Sequence, residues 1–390
     1  MRRLKIALWL ECYALLLAAV QEHNGVRTDE AKYLLSIPYP HPPLARWFFS
    51  LFDGFAWQEF FIRAFVATLM VQAAWIVWNM ARSLSRSGKI AACVLWLASA
   101  AFVLQAGTVM MAPLTALQAL AFLWILSLPK ERLPGAPVVG FLWLATLFTA
   151  LQGVLLAPLA IAALRLNGTP LKGRLWYVGV PLVLVGLYAL GNPLIAASLL
   201  IQSGKDAGDP MAVRAAGLFW ILVLAGSGVG MLVGVLGLAL KKHIWIGASF
   251  LLVLAYVFVG RFDYYAILFL PFFVTGTKHL LRRMPRVAVP MAVGVVLGTV
   301  AIFALWVPLL TPRSQARYVL GYAGSGTIML TGGLGHEWQY EAAPDQTLLW
   351  SGEADPSTVD AVVCFKECTG LEGAWQEGLG GHANIWRPKT

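Results

Sequence analysis

Charged residues are scarce in this sequence of 390 residues. Only 12% are Asp, Glu, Lys or Arg, whereas soluble domains carry roughly 25%. Hydrophobic residues make up 59%, and the mean hydropathy is +0.72. The apolar residues fall in successive blocks of roughly 15–22, close to the ~20 that a helix needs to cross a bilayer. This pattern excludes a globular cytoplasmic enzyme, a coiled coil and a disordered chain, and the continuous blocks exclude a β-barrel, whose strands alternate apolar and polar residues.

Cysteine is also scarce, with four residues in the chain. Cys12 and Cys93 lie in apolar blocks, where small buried thiols are expected. Cys364 and Cys368 lie near the C-terminus. On a straight strand two positions four apart are ~13 Å from each other, and a disulfide needs Cα atoms within ~7 Å. The spacing therefore leaves open a disulfide at a turn or two free thiols.

The positions of the basic residues predict the membrane topology. We predict eleven apolar spans, at 4–20, 60–80, 90–107, 112–128, 137–151, 153–166, 175–191, 217–240, 243–260, 264–279 and 287–309. The first is expected to be retained, because no small-x-small cleavage site precedes Gln21. With the N-terminus inside, inner loops hold seventeen of the 29 Lys and Arg residues. Reading 137–166 as one span would remove this bias, so we predict two spans and an outer C-terminus.

The sequence thus predicts an all-α polytopic membrane bundle of about eleven transmembrane helices with a small module outside. The bundle is expected over residues 1–310, with a polar outer loop at 21–59, and an extracytoplasmic C-terminal module over 311–390. Three β-like runs in the module are bounded by Gly, Pro and Asp: Thr327–Leu330, Thr347–Trp350 and Val359–Phe365. They predict an α+β or β-rich fold, although the high glycine content leaves open a loosely ordered cap.

The distribution of acidic residues indicates a functional outer face, because seventeen of the nineteen lie there in this topology. The outer loop contains three polar motifs: Arg27-Thr28-Asp29-Glu30-Ala31-Lys32-Tyr33, Pro38-Tyr39-Pro40-His41-Pro42-Pro43-Leu44 and Glu59-Phe60-Phe61-Ile62-Arg63. They gather adjacent carboxylates, a histidine and several cations at one membrane edge. On composition alone, a solvated loop with interfacial anchors is the favoured explanation. Likewise, the net charge of +10 follows from topology and gives no reason to expect nucleic acid.

These motifs resemble the start of the polytopic lipid-linked sugar transferases of the GT-C class. Within that class they are most similar to the family of the bacterial aminoarabinose transferase and the protein O-mannosyltransferases. Members carry Asp-Glu-x-x-Tyr after the first helix, Lys- or His-Pro-Pro-Leu before the second, and an Asn-Glu-Phe-x-x-Arg-like entry to it. Two later segments, Leu151–Pro158 and Gly260–Tyr265, resemble further family elements. The similarity covers about residues 1–280.

The resemblance implies inverting transfer of one sugar from a polyprenyl-phosphate donor to an acceptor hydroxyl on the extracytoplasmic face of a bacterial inner membrane. The acceptor is a glycan, a lipid or a protein. The roles implied are a base, Asp29, with Glu30 beside it; donor-phosphate ligands, His41 and Arg261, with Arg63 and Arg27 as further candidates; and substrate-binding residues, Tyr33 and Tyr264. No cofactor or metal is expected from the family, although Asp29, Glu30 and His41 are also chemically suited to a divalent cation.

Several features depart from the family pattern. Met111-Ala112-Pro113 stands where many members have an aspartate before a proline, and only ten residues separate Glu30 from His41, so the outer surface helix expected there is shortened or absent. A transporter or flippase for a lipid or lipid-linked sugar, and a catalytically inactive scaffold, therefore stay open as alternatives. Glu11 lies in the middle of the first span, where it must face the bundle, pair or be protonated.

Overall fold

The computed structural model of the chain is mainly helical. It describes residues 2–37, 41–195, 210–241, 243–260, 263–306, 312–331, 335–364, 375–376 and 384–387. The α-helices are α1 Arg2–Asn24, α2 Thr28–Leu34, α3 Pro43–Ser50, α4 Gln58–Gln72, α5 Ala74–Met80, α6 Arg86–Ala98, α7 Ala100–Gln105, α8 Met111–Ile125, α9 Ala136–Thr149, α10 Ala157–Leu166, α11 Leu171–Gly191, α12 Met211–Gly226, α13 Val229–Lys241, α14 Ile244–Gly260, α15 Leu270–Arg283, α16 Ala288–Trp306, α17 Pro312–Ala323 and α18 His336–Glu341. The 3-10 helices are Lys130–Arg132, Leu151–Leu156, Asp263–Phe269, Pro285–Val287 and Pro356–Thr358.

Among the described residues, four stretches of helix are long and apolar enough to cross a membrane. They are Leu4–Asn24, Gln58–Met80, Leu171–Gly191 and Pro285–Leu305, and a bent pair of helices, α12 with α13, makes a fifth if it is one span. Together with the composition, these helices make the chain a helical membrane protein. The predicted number of eleven spans stays a prediction, because most of the other apolar helices in the described part of the chain have only 10–17 residues.

The predicted span 217–240 is wrong as a single helix. The chain bends by 97° between α12 and α13. Ser227 and Gly228 lie at the bend with φ values of 51° and 73°, a left-handed conformation that ends a helix. The predicted span 264–279 begins as the 3-10 helix Asp263–Phe269, which precedes α15.

The stretch 137–166 is two helices, as the topology prediction required. α9 ends at Thr149, and a 3-10 turn leads into α10. A side chain at Gly153 would lie only 2.7 Å from the carbonyl oxygen of Thr146, so the turn folds back closely on α9 because residue 153 is glycine. Proline in the first turn of α10 then favours the new helix.

By their contacts, the residues form two compact units. The first consists of Met1–Ala19 and Tyr39–Val307, and the second of Val20–Pro38 and Pro308–Thr390. The helix α2, in the predicted outer loop, therefore packs with the C-terminal residues. The sequence-based division had placed this loop with the bundle. Whether 1–310 and 311–390 behave as domains stays a prediction.

In the first unit, the carboxylate of Glu11 faces other helices. It accepts hydrogen bonds from Thr68 Oγ1 at 2.7 Å and Gln72 Nε2 at 3.4 Å. This confirms that Glu11 faces the bundle.

The prediction of a buried thiol is wrong for Cys12, which is exposed on α1, because only 22% of the apolar window of this helix is buried.

The second unit contains the predicted sheet, which has five strands in the described residues. They are β1 Gly326–Thr331, β2 Gln346–Trp350, β3 Ala361–Cys364, β4 Trp375–Gln376 and β5 Asn384–Trp386, in the order β2-β1-β3-β5-β4. β1 pairs in parallel with β2 and β3, whereas β5 is antiparallel to β3 and β4. The three predicted β-like runs are thus confirmed as β1, β2 and β3.

Both faces of this sheet are covered by apolar side chains. Ile328 and Leu330 of β1 pack with α17 and with Trp338 of α18. Met329, between them in sequence, packs with Trp386 on the other face, as the two-residue period of a strand requires. Cys364 is disulfide-bonded; Cys368 lies outside the described residues.

Candidate functional site

The predicted base, Asp29, lies in the first turn of α2 in the second unit. Its side chain is 21% exposed, and its Oδ1 is 3.5 Å from Lys32 Nζ one turn later. An acidic residue at a helix start is favoured by the helix dipole. Asp29 is therefore a carboxylate that is accessible to a partner and held in orientation by a neighbouring cation.

Glu30, the other acidic candidate, is used differently. Only 1% of the residue is exposed, and its Oε2 accepts a hydrogen bond from the backbone N–H of Arg27 at 2.9 Å. This is the glutamate half of a capping box, which fixes the start of a helix. Tyr33 is buried on the same helix, at 6% exposure. Glu30 and Tyr33 thus stabilise α2, and Arg27 precedes the helix as its N-cap residue.

The start of α2 is joined to the C-terminal residues by side-chain hydrogen bonds. Thr28 Oγ1 donates a short hydrogen bond to Glu337 Oε2 on α18. The other oxygen of Glu337 accepts from the backbone N–H of Gly335 at 3.2 Å. The sequence does not identify Thr28 and Glu337 as functional candidates, because their positions are 309 residues apart and no local pattern connects them.

The phosphate candidates of the first unit occupy contrasting environments. Arg63 is 1% exposed, and its Nε lies 2.8 Å from Glu59 Oε1, one turn earlier on α4. Its Nη1 also donates to the carbonyl of Gly107 at 3.4 Å. His41 is half-buried just before α3, and its carbonyl accepts a hydrogen bond from Tyr188 at 3.4 Å. Arg261 lies outside the described residues.

Two segments of the family-like pattern meet in the first unit. Gln152 Nε2 donates to Tyr265 Oη at 2.9 Å and to Tyr256 Oη at 2.8 Å, and the two tyrosine hydroxyls are 3.0 Å apart. The ring of Tyr264, the predicted substrate-binding residue, lies 4.4 Å from that of Tyr265. Gln152 belongs to the 151–158 segment and Tyr265 to the 260–265 segment, which are 113 residues apart at this contact.

The position that lacks the second acid lies at the start of α8. Ala112 is 3% exposed there and cannot act as a ligand or base. A replacement acid was not evident from the sequence. The expectation that no metal or cofactor is needed stays a prediction.

No protein-family model and no curated protein matches the chain. Among solved structures, the chain is similar to the Archaeoglobus fulgidus oligosaccharyltransferase, crystallised in complex with Zn and sulfate, at 12% identity and a TM-score of 0.43. The match covers 86% of this chain and 62% of that one, so the chain spans less than two thirds of that protein's length. At this level, neither fold nor activity follows for the present chain.

Proposed function

We propose that the protein is a membrane glycosyltransferase that moves one sugar from a polyprenyl-phosphate donor to an acceptor hydroxyl on the extracytoplasmic face. One observation carries this proposal beyond the motifs of the outer loop. The hydrogen bond between Gln152 and Tyr265 joins two further segments that resemble the same family, although they are distant in sequence. Chance matches to a family pattern have no reason to meet in space.

In the proposed reaction, Asp29 removes the proton of the acceptor hydroxyl. The acceptor oxygen then forms a bond to the anomeric carbon of the donor as the bond from that carbon to the phosphate oxygen breaks. Polyprenyl phosphate leaves, and the anomeric configuration inverts. Phosphate is a good leaving group, so the main requirement is to stabilise its growing charge with fixed donors. We assign this role to His41 and Arg261.

The surroundings of Glu30 and Arg63 reduce the number of candidate catalytic and phosphate-binding residues. Glu30 caps its own helix, and Arg63 is sequestered beside Glu59. The Glu-x-x-x-Arg spacing of the family-like motif at the start of α4 is therefore accounted for by an ion pair within one helix. We keep Asp29, His41, Arg261 and Tyr264 as candidate residues for the reaction.

The test is the Asp29→Asn variant, assayed with purified protein and radiolabelled lipid-linked sugars. The acceptor is supplied by a membrane extract. We expect turnover to fall at least 100-fold, in line with the usual contribution of a general base. The control is Asp53→Asn, because Asp53 is an exposed carboxylate in the same loop. Full turnover by Asp29→Asn would refute the proposed base.

His41→Ala separates donor binding from proton transfer. Loss of a phosphate ligand should raise the Kd for the lipid donor, whereas Asp29→Asn should leave it unchanged. Donor binding is measured by the intrinsic fluorescence of the protein as synthetic lipid-phosphate sugar is added. Unchanged affinity in His41→Ala would remove it from the proposed site. Mass spectrometry of copurifying lipids would identify the sugar.

A transporter is the second candidate, and the bent pair α12 and α13 is the observation that favours it. Discontinuous helices are typical of transporters, where their ends bind substrate or ions. At the bend, however, the polar side chains with hydrogen bonds in the described part of the chain are Ser227 and Thr299, which bind each other and the backbone of Ala100 and Ala98, and neither is charged. Translocation of fluorescent polyprenyl-phosphate sugar in proteoliposomes, without any turnover, would favour the transporter.

A further inference from the structure

The helix that carries Asp29 is held by the C-terminal residues through a chain of polar contacts in the second unit. We call this set the polar clamp; it consists of Glu22, Thr28, Arg313, Glu337 and Glu341. Glu337 and Glu341 lie one turn apart on α18. Glu337 accepts the hydrogen bond of Thr28 at the start of α2. Glu341 is 2.7 Å from Arg313 on α17, which donates in turn to the carbonyl of Glu22 near the end of α1.

The clamp fixes the chain on both sides of the short segment that leads to Asp29. Glu22 precedes this segment and Thr28 follows it. Gly25, within it, has a φ of +96°, and a Cβ there would lie 2.7 Å from Arg313 Cβ. This residue must therefore be glycine for both conformational and steric reasons. The path of the backbone from α1 to α2 is thus set by residues more than 280 positions later.

Burial makes the clamp effective. The side chain of Glu341 is 2% exposed and that of Arg313 is 12% exposed. Removing one partner of such a pair leaves the other without compensation in a poorly solvated place. Glu341 also lies 2.8 Å from Nε of Arg317, whose side chain is 63% exposed. Glu341 is therefore the anchor of α18, and Glu337 is its contact with α2.

We propose that Glu337 is a positioning residue for Asp29. This inference rests on the proposed role of Asp29 as the base. Asp29 follows Thr28 directly, and the capping hydrogen bond of Glu30 fixes the same turn from within. The hydrogen bond between Thr28 and Glu337 therefore sets where the carboxylate of Asp29 lies. Proton transfer is sensitive to such placement, because a shift of about 1 Å in a reacting group can cost roughly 100-fold in rate.

The test uses variants that remove or keep this one contact. Thr28→Val removes the hydroxyl at nearly constant volume, and Thr28→Ser keeps it. Glu337→Ala removes the acceptor. Gly335→Ala places a methyl group against both Thr28 Oγ1 and Glu337 Oε2. The matched control is Gly321→Ala on α17, where a Cβ meets nothing within 4 Å.

Each variant of the full-length protein is measured for turnover and for hydrogen exchange of residues 28–34. We expect Thr28→Val, Glu337→Ala and Gly335→Ala to lower kcat about ten-fold or more, with the KM for the lipid donor unchanged, and to speed exchange in α2. Thr28→Ser and Gly321→Ala should match the parent. The double variant Thr28→Val/Glu337→Ala should be no slower than either single variant, because both remove the same contact.

Two results would overturn the positioning role. One is faster exchange in α2 with unchanged kcat, which would make the contact purely structural. The other is unchanged exchange and unchanged kcat. Failure of the proposed function is distinguished by Asp29→Asn: if this variant keeps full turnover, the base assignment fails whatever the clamp variants show. If it is inactive while Thr28→Val is fully active, only the positioning role fails.

Discussion

The ion pair of Glu59 and Arg63 shows how a polar motif in an apolar chain acquires a structural use. Their side chains are 7% and 1% exposed, and the pair lies within one helix turn. On the sequence alone, Arg63 is a candidate phosphate ligand because it is an arginine at a predicted membrane edge. It does not reveal that the residue four positions earlier pairs with this cation, because the same spacing also occurs in exposed pairs.

Removing one member of this pair should be far more harmful than removing both. Glu59→Ala leaves the buried guanidinium without its carboxylate, and we expect a loss of about 3–5 kcal/mol in the free energy of unfolding. Glu59→Leu/Arg63→Met should recover most of that loss. The measurement is unfolding in detergent, with Asp53→Ala as the exposed control. Equal stability of Glu59→Ala and Asp53→Ala would contradict the structural assignment.

Asp355 provides a prediction for pH. Hydrogen bonds from the backbone N–H and the hydroxyl of Ser357 lower the pKa of this carboxyl below its ordinary value of 3.8. A carboxyl whose pKa is lower in the folded state than in the unfolded state stabilises the fold at pH values above the unfolded-state pKa. This stabilisation is lost as the pH falls through the folded-state pKa. Below pH ~4 the parent should therefore lose more stability than Asp355→Asn. Thermal unfolding between pH 3 and 5 compares them, and parallel curves would contradict the prediction.

At the scale of elements, two helix breaks meet. α6 and α7 are separated at Ser99, and α12 and α13 at Ser227. Ser227 Oγ accepts the backbone N–H of Ala100 at 2.9 Å, and Thr299 Oγ1 donates to the carbonyl of Ala98 at 2.6 Å. The two hydroxyls are 2.7 Å apart. Irregular backbone is tolerated at membrane depth only where protein covers it, and these contacts provide that cover.

Loss of either hydroxyl should therefore leave a backbone group at the break between α6 and α7 without this hydrogen bond. We expect Ser227→Ala and Thr299→Val each to lower the free energy of unfolding by about 1–3 kcal/mol, and the double variant to lose less than the sum because the hydroxyls share one network. Ser249→Ala is the control, since its buried hydroxyl has no hydrogen-bond partner in the described part of the chain. Strictly additive losses would contradict the network.

α13 and α15 pack more closely than side chains allow. A Cβ at Gly276 would collide with the backbone of Gly234 and lie 3.0 Å from the Leu238 nitrogen. A small residue at a helix interface lets two backbones approach in this way. Gly276→Ala should destabilise the protein by about 1–3 kcal/mol, whereas Gly186→Ala, with nothing within 4 Å, should not. Equal unfolding temperatures in detergent would contradict this packing.

These elements show what the sequence reveals and what it does not. The apolar blocks predict where most helices lie, and alternation with turn residues predicts β1, β2 and β3. The bend at Ser227 is invisible to hydropathy, because Leu, Val and Gly continue on both sides of it. Its only local sign is the cluster Gly226, Gly228 and Gly230. The hydroxyl of Ser227 at the bend contacts Thr299 of α16, which in turn binds the end of α6. No local sequence pattern identifies these partners.

At the scale of the whole molecule, the charge distribution predicts an orientation. The N-terminus and the basic loops are expected inside, and the C-terminal residues outside. In intact cells a membrane-impermeant maleimide should therefore label Ser325→Cys, whereas Glu131→Cys should react only after lysis. Both positions are exposed. The parent chain, with Cys12 and Cys93 as its free thiols in the described residues, gives the background. The reverse labelling pattern would invert the predicted topology.

Only part of the candidate site can be predicted from the sequence. Asp29 and Tyr264 stand in motifs, and the structure provides each with a physical setting. Glu337, Gln152 and Tyr256 gain their roles only from contacts made across long sequence separations. Such contacts follow from the fold, so a single sequence identifies candidate groups better than the residues that hold them.

The contact between Thr28 and Glu337 also has a consequence for biosynthesis. The two residues are separated by 309 positions, so the ribosome needs roughly 15–60 s to reach the second after making the first. During that time the start of α2 has no partner from α18. If Asp29 is the base as proposed, chains that terminate before α18 never acquire the supported carboxylate and are expected to be inactive even when every apolar helix has been inserted. Support of this carboxylate is therefore a late event in making the protein.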